Sequence, residues 1–113
     1  MTEDAELLTD LIKEYSTRMS NALQELSNSM FANQLRAILF PYEKPQTSFI
    51  SIDSKYCLVG ESNGLVMLMD KDQHIVLFTI GLNLSSNSEG LSNAEITRNL
   101  YKLTFAYMSY AIN

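Results

Sequence analysis

The sequence predicts a single α+β domain: an N-terminal helix or helix pair, a central four-stranded antiparallel meander, and a C-terminal helix packed on the sheet. Three observations carry this. Between Thr47 and Ile80 four short apolar runs are separated by the turn signals Asp53-Ser54, Asn63-Gly64 and Asp70-Lys71-Asp72-Gln73. Tight turns between consecutive strands make an antiparallel meander the natural pairing. The flanking segments instead repeat apolar residues at the three-and-four spacing of amphipathic helices. A chain of 113 residues fits one domain and can bury a core without disulfides or a structural metal. The expected layout is helical over 3–39, sheet over 47–80, a mobile loop over 82–91 and a helix over 93–112.

In the first helix Thr2 is positioned as N-cap, and Glu3, Asp4 and Glu6 occupy the first turn, where the helix dipole favours anions. Leu8, Ile12, Tyr15, Met19, Ala22 and Leu26 form a heptad-like stripe, widened by Leu7, Leu11 and Leu23. Such a stripe reads either as a partner-binding seam or as the face that covers the sheet. Ser27-Asn28-Ser29 interrupts it, since these side chains compete for local backbone hydrogen bonds. Met30, Phe31, Leu35, Ile38 and Leu39 then resume on a shifted phase. The expectation is a second short helix from about Asn28 to Leu39, or one long helix kinked at the break. Pro41 ends the element, and Pro41 to Pro45 is a stiff connector.

Thr47–Ile52, Tyr56–Glu61, Leu65–Asp70 and His74–Ile80 are the expected strands, and Asn63-Gly64 suits a type I′ hairpin turn. A sheet with one wet face alternates apolar and polar residues. Here Leu65, Met67 and Met69 oppose Val66 and Leu68, Ile75 and Leu77 oppose Val76, Phe78 and Ile80, and Tyr56 and Leu58 oppose Cys57 and Val59. Only the first strand, with Ser48 and Ser51, is partly polar on both faces and reads as an edge. Both faces therefore call for cover, supplied by helices on either side or by another chain. Ser92 and Glu95 form a capping box for the last helix. That helix carries two apolar stripes, Ile96, Leu100, Leu103, Tyr107 and Ala111, and Tyr101, Phe105, Met108 and Ile112, a pattern expected of a sandwiched helix.

Charge and residue types narrow the function. The net charge is -5 and no two of the 8 basic residues are adjacent, which argues against nucleic acid or an anionic membrane as partner. No apolar run approaches the roughly 20 residues of a membrane helix. The acidic start MTEDAELL lacks the positive charge of a signal or transit peptide. The lone Cys57 suits a reducing compartment, so a cytoplasmic protein is expected.

The single histidine, His74, excludes His-pair metal motifs; Asp70, Asp72 and His74 alternate but read better as a solvated turn. Cys57 with His74 could form a thiolate pair, yet Cys57 sits in an apolar strand, where free Cys is a small buried hydrophobe. The four glycines make no phosphate-cradling loop. No catalytic residue, cofactor site or metal site is expected.

The leading expectation is a non-enzymatic protein–protein interaction module: a small acidic adaptor, assembly factor or chaperone-like protein, working as a homodimer or with an obligate partner. The interface residues expected are Leu8, Ile12, Tyr15, Met19, Met67, Met69, Tyr101, Phe105, Met108 and Tyr110; the methionines suit an adaptable surface. One alternative is a small-molecule-binding domain or enzyme with a pocket between sheet and terminal helix, lined by Tyr56, Met67, Tyr101 and Phe105. Another is an acidic inhibitor of a basic partner, using Glu3, Asp4, Glu6, Glu14 and the 70–72 turn. The order helix, antiparallel strands, helix in a small acidic chain resembles that of bacterial secretion chaperones and, more loosely, roadblock or longin-type scaffold domains. The resemblance is one of element order and size, and assigns no residue.

Overall fold

A computed structural model describes residues 3–82 and 93–112. The expected N-cap Thr2, residues 83–91 of the expected mobile loop 82–91 and the capping-box residue Ser92 lie outside these residues; Leu82, the first residue of that expected loop, is instead buried in the core and its N–H donates to Gly64 O at 2.7 Å. The fold is the α+β arrangement the pattern predicts. Helix α1 (Glu3–Leu39) is followed by strands β1 (Thr47–Ser51), β2 (Tyr56–Glu61), β3 (Leu65–Asp70) and β4 (Ile75–Gly81), then helix α2 (Asn93–Ala111). The strands pair antiparallel in sequence order, with β1 at one edge as its serines suggest.

Helix α1 runs through Ser27-Asn28-Ser29 without a break, as one element of 37 residues. The expected separate second helix does not form, and Ser29 finds a tertiary partner instead of competing for the backbone. The Ser29 hydroxyl shares a 2.6 Å hydrogen bond with Ser48 Oγ on β1, and Asn33 Nδ2 donates to the same oxygen at 2.9 Å. Ser48 is itself buried, so the break in the apolar stripe is the polar seat of an edge strand. At about 1.5 Å per residue α1 is about 55 Å long, matching the 57 Å long axis of the molecule. Its middle packs on the sheet and both ends overhang.

The β2–β3 connection differs from a type I′ turn. Only Gly64 has positive φ, at 98°, and Gly64 N donates to Glu61 O at 2.9 Å. Ser62, Asn63 and Gly64 thus form a three-residue loop with glycine in the left-handed position, and Asn63 Oδ1 accepts from Leu65 N. In the β3–β4 turn Asp70 Oδ1 accepts from Asp72 N and Gln73 N. His74 belongs to this turn rather than to β4, and takes a left-handed φ of 54°. A register shift opposite Leu68 and Met69 then changes the alternation of β4. Leu77 joins Phe78 and Ile80 at the core, while Ile75 and Val76 are both exposed.

Both helices lie on one face of the sheet. The core joins Met19, Leu23, Leu26 and Met30 of α1, Leu103 and Tyr107 of α2, and Tyr56, Leu58, Val66, Leu68 and Ile80 of the strands. The helices run antiparallel: Tyr15 meets Tyr107 edge-to-face, and Phe31 and Ile96 line one groove at the other end. Helices divided between the two faces, and a terminal helix buried on both stripes, are therefore not what forms.

Helix α1 approaches the sheet closely at Gly60, where an added Cβ would lie 2.4 Å from Met30 Sδ and 2.9 Å from Leu26 Cδ1. Gly60→Ala is expected to destabilise by about 1–3 kcal/mol through overpacking, because the clashing atoms are side-chain ends that can shift. Urea denaturation checks this; an unchanged midpoint would place α1 farther from β2.

Candidate interaction surface

Pairing register sorts the strand residues into two faces. The row Ile50, Leu58, Leu68 and Phe78 lies under the helices. Side chains alternate along a strand, so the rows between it point the other way. One is Phe49, Val59, Met67 and Thr79, the other Ser51, Cys57, Met69 and Val76, with Leu65 at the end of β3. None of these outward residues joins the core under the helices. At the centre of this second face Val59 and Cys57 are only 2% and 7% exposed. Around them Phe49 is 68% exposed, Leu65 and Val76 are exposed, and Met67 and Met69 are half-buried. Glu61 is the one charged residue of these strands placed by the register on this side. The result is a largely apolar sheet face, with Ser51, Thr79 and Glu61 toward its margins, that neither helix covers.

A second apolar surface runs along the outside of α2. Tyr101 and Phe105 are stacked at 6.2 Å and are 61% and 60% exposed, continued by half-buried Met108 and exposed Ile112. The overhanging ends of α1 add exposed Leu7, Leu8 and Ile12 at one end and Phe31, Leu35 and Ile38 at the other.

The ten residues expected at an interface are thus divided. Met67 and Met69 lie on the outward sheet face; Tyr101, Phe105 and Met108 lie on the outer stripe of α2; Leu8 and Ile12 lie on the overhang of α1. Met19 is fully buried in the core and has no surface to offer; the stripe it belongs to covers the sheet in its middle and is exposed only near its start. Tyr15 is half-buried against Tyr107. Tyr110 is exposed, but its hydroxyl reaches Leu77 O at 3.5 Å and its carbonyl accepts from Tyr56 Oη at 3.2 Å. Sequence reasoning missed Phe49, Leu65 and Val76. Their signal was the apolar outward set of strand positions, obscured in β4 by the bulge.

The four residues proposed to line a ligand pocket do not converge. Tyr56 faces the core, Met67 the opposite side of the sheet, and Tyr101 and Phe105 the outside of α2. An apolar groove of about 430 Å³ does lie between the helices, lined by Leu23, Ser27, Phe31, Leu82, Ile96 and Leu100 among others. The acidic groups are interleaved with cations: on α1 Arg18 pairs with Glu14, and at the strand turns Lys55 lies 4.0 Å from Asp70 and Lys71 Nζ donates to Asp53 O at 2.7 Å.

One polar cluster ties the layers together. Asp53, in the β1–β2 turn, accepts from Lys55 N and Tyr56 N at Oδ1, each at 2.8 Å, and from the Tyr107 hydroxyl at Oδ2. Arg18 Nη1 donates to Tyr107 Oη at 3.4 Å. Burial first, and then the bond to Asp53, push the Tyr107 phenol up to about 12. Burial also raises the Asp53 carboxyl, but the donors from Tyr107, Tyr56 and Lys55, with the Arg18 charge, outweigh it and hold it below its ordinary value. A carboxylate and phenol engaged in this way clamp a turn to two helices.

The pH dependence follows from the two directions. Tyr107 contributes stability that is full below the ordinary tyrosine value near 10 and is lost as pH rises through about 12. Asp53 contributes stability present above the ordinary carboxylate range and lost as pH falls through its lowered value. Tyr107→Phe is expected to flatten the alkaline fall in stability relative to the parent, measured by denaturant midpoints between pH 9 and about 12. Parallel profiles for the two proteins would contradict the clamp.

Among the described residues no helix is long and apolar enough to cross a membrane, and no group of three or more His, Cys, Asp and Glu side chains could hold a metal ion. No protein-family model matches the chain, and comparison with curated proteins and with solved structures finds no significant match.

Proposed function

We propose that the protein is a non-enzymatic protein–protein interaction module, a small acidic adaptor, assembly factor or chaperone-like protein that acts as a dimer or with an obligate partner. The observation that carries this reading is the placement of both helices on one sheet face, which leaves Phe49, Leu65, Met67, Met69 and Val76 outward around Cys57 and Val59. A soluble monomer rarely keeps a contiguous apolar patch of several hundred Å² without a use for it. Burying a large apolar side chain contributes about 1.5–3 kcal/mol, so a partner seated here gains a substantial driving force. The flexible, polarizable Met67 and Met69 suit a surface that adapts to what it meets. A reducing compartment such as the cytoplasm suits a chain with the single cysteine Cys57 at the centre of that face.

Light scattering combined with titration of a hydrophobic dye tests the proposal. The expected result is a mass of two chains, or a monomer that binds the dye. A monomer that binds no dye would contradict it.

A further inference from the structure

We infer that the occupant of the outward sheet face is a second copy of this chain, the two sheets packing face to face with the helix layers outermost. This rests on the interaction-module reading and adds the identity of the partner and the surface it uses.

Size, shape and charge support a sheet of the same kind. Four strands of 5 to 7 residues span about 19 Å across and about 20 Å along the strands, at about 4.8 Å between strands and 3.3 Å per residue. A single helix, about 10 Å in diameter, would cover only about half of that width, and both helices of this chain are already engaged on the other face. Another four-stranded sheet at the usual spacing of about 10 Å covers all of it. Sheets of equal twist nest in the aligned packing, with strand directions about 30° apart, and two copies of one sheet have equal twist by construction.

Charge removes the usual objection to self-association of an acidic protein. The chain carries a net charge of -5, yet the outward rows hold only Glu61 as a charged residue, at the margin opposite Thr47. The acidic first turn of α1 belongs to the element on the opposite face. Two copies can therefore meet across this face with charge confined to its margins, Glu61 at one end and Lys71, whose charge reaches Cys57, at the other, and the core of such an interface is normally poor in charge.

Sedimentation velocity on the full chain tests the inference with three single variants: Phe49→Asp and Val76→Asp on the sheet face, and Tyr101→Asp on the outer stripe of α2. All three positions are exposed, and circular dichroism verifies that each variant folds. A carboxylate buried in an apolar interface weakens association by at least about 100-fold. The wild type and Tyr101→Asp are expected to sediment as two chains, and Phe49→Asp and Val76→Asp as one at the same concentration. A wild-type dimer that survives both sheet-face variants and dissociates with Tyr101→Asp overturns the inference and leaves the interaction-module reading standing. A wild-type monomer that binds hydrophobic dye also overturns it alone; one that binds no dye overturns both.

Discussion

Leu68→Ala is expected to cost about 2–5 kcal/mol of folding stability, the range for truncating a buried leucine in a packed core. Leu68 is fully buried at the middle of β3, between Leu58 on β2 and Phe78 on β4, beneath the helix layer. The loss combines the transfer of the missing carbons with the cavity they leave. Domains of this kind hold only about 5–15 kcal/mol in total, so the upper end of the range would leave a large unfolded population. Met67, one residue earlier, points to the other face. Met67→Ala is expected to cost about 1 kcal/mol or less in a protein held monomeric by Phe49→Asp, because a half-buried side chain on an uncovered face leaves no sealed cavity. Denaturant midpoints at constant slope measure both. Equal costs at the two positions would mean that the sheet is covered on both faces.

Gly64→Ala is expected to be comparably severe, at about 2–5 kcal/mol, from two sources. A non-glycine residue at φ 98° bears a backbone penalty of about 1–2 kcal/mol, and forced overpacking adds about 1–3 kcal/mol. The second source is specific: a Cβ at residue 64 would lie 2.3 Å from the carbonyl oxygen of Leu82, a backbone atom held in place because Leu82 N donates to Gly64 O at 2.7 Å. Gly64→Asn separates the two, since asparagine tolerates left-handed backbone but carries the same Cβ. If steric conflict dominates, Asn and Ala will be similarly destabilising. Near-complete recovery with Asn would instead assign the effect to φ alone. Gly81→Ala is the control, because its Cβ would meet nothing within 4 Å; it is expected to change stability by less than about 0.5 kcal/mol.

The strand order was legible because the turn chemistry sits in the chain itself. Asp53 caps its own turn through the amides of Lys55 and Tyr56, Asp70 does the same for Asp72 and Gln73, and Gly64 supplies the left-handed residue. The serines of β1 likewise announced an edge. What was not legible depends on partners far apart in sequence. Ser27-Asn28-Ser29 looks like a break until Ser48 is found opposite Ser29. A buried Tyr107 must place its hydroxyl somewhere, but nothing local points to Asp53 and Arg18. The side on which a helix lies is likewise invisible when both sheet faces are apolar. Met19 and Leu8 share one sequence stripe, yet one is core and the other overhang, because the stripe outruns the sheet it covers.

The Met methyls give the most direct reading of the central claim, that the outward sheet face is open in one chain and filled by a partner. Among the described residues Met19 and Met30 are fully buried, whereas Met67, Met69 and Met108 are half-buried on two separate surfaces. Methyl resonances recorded with a soluble paramagnetic chelate distinguish them. In the Phe49→Asp monomer, Met67, Met69 and Met108 are expected to broaden while Met19 and Met30 stay sharp. In the wild type, Met67 and Met69 are expected to become protected and Met108 to remain broadened. Met67 and Met69 as well protected as Met19 in the monomer would contradict the account, because the face would then be covered within the chain.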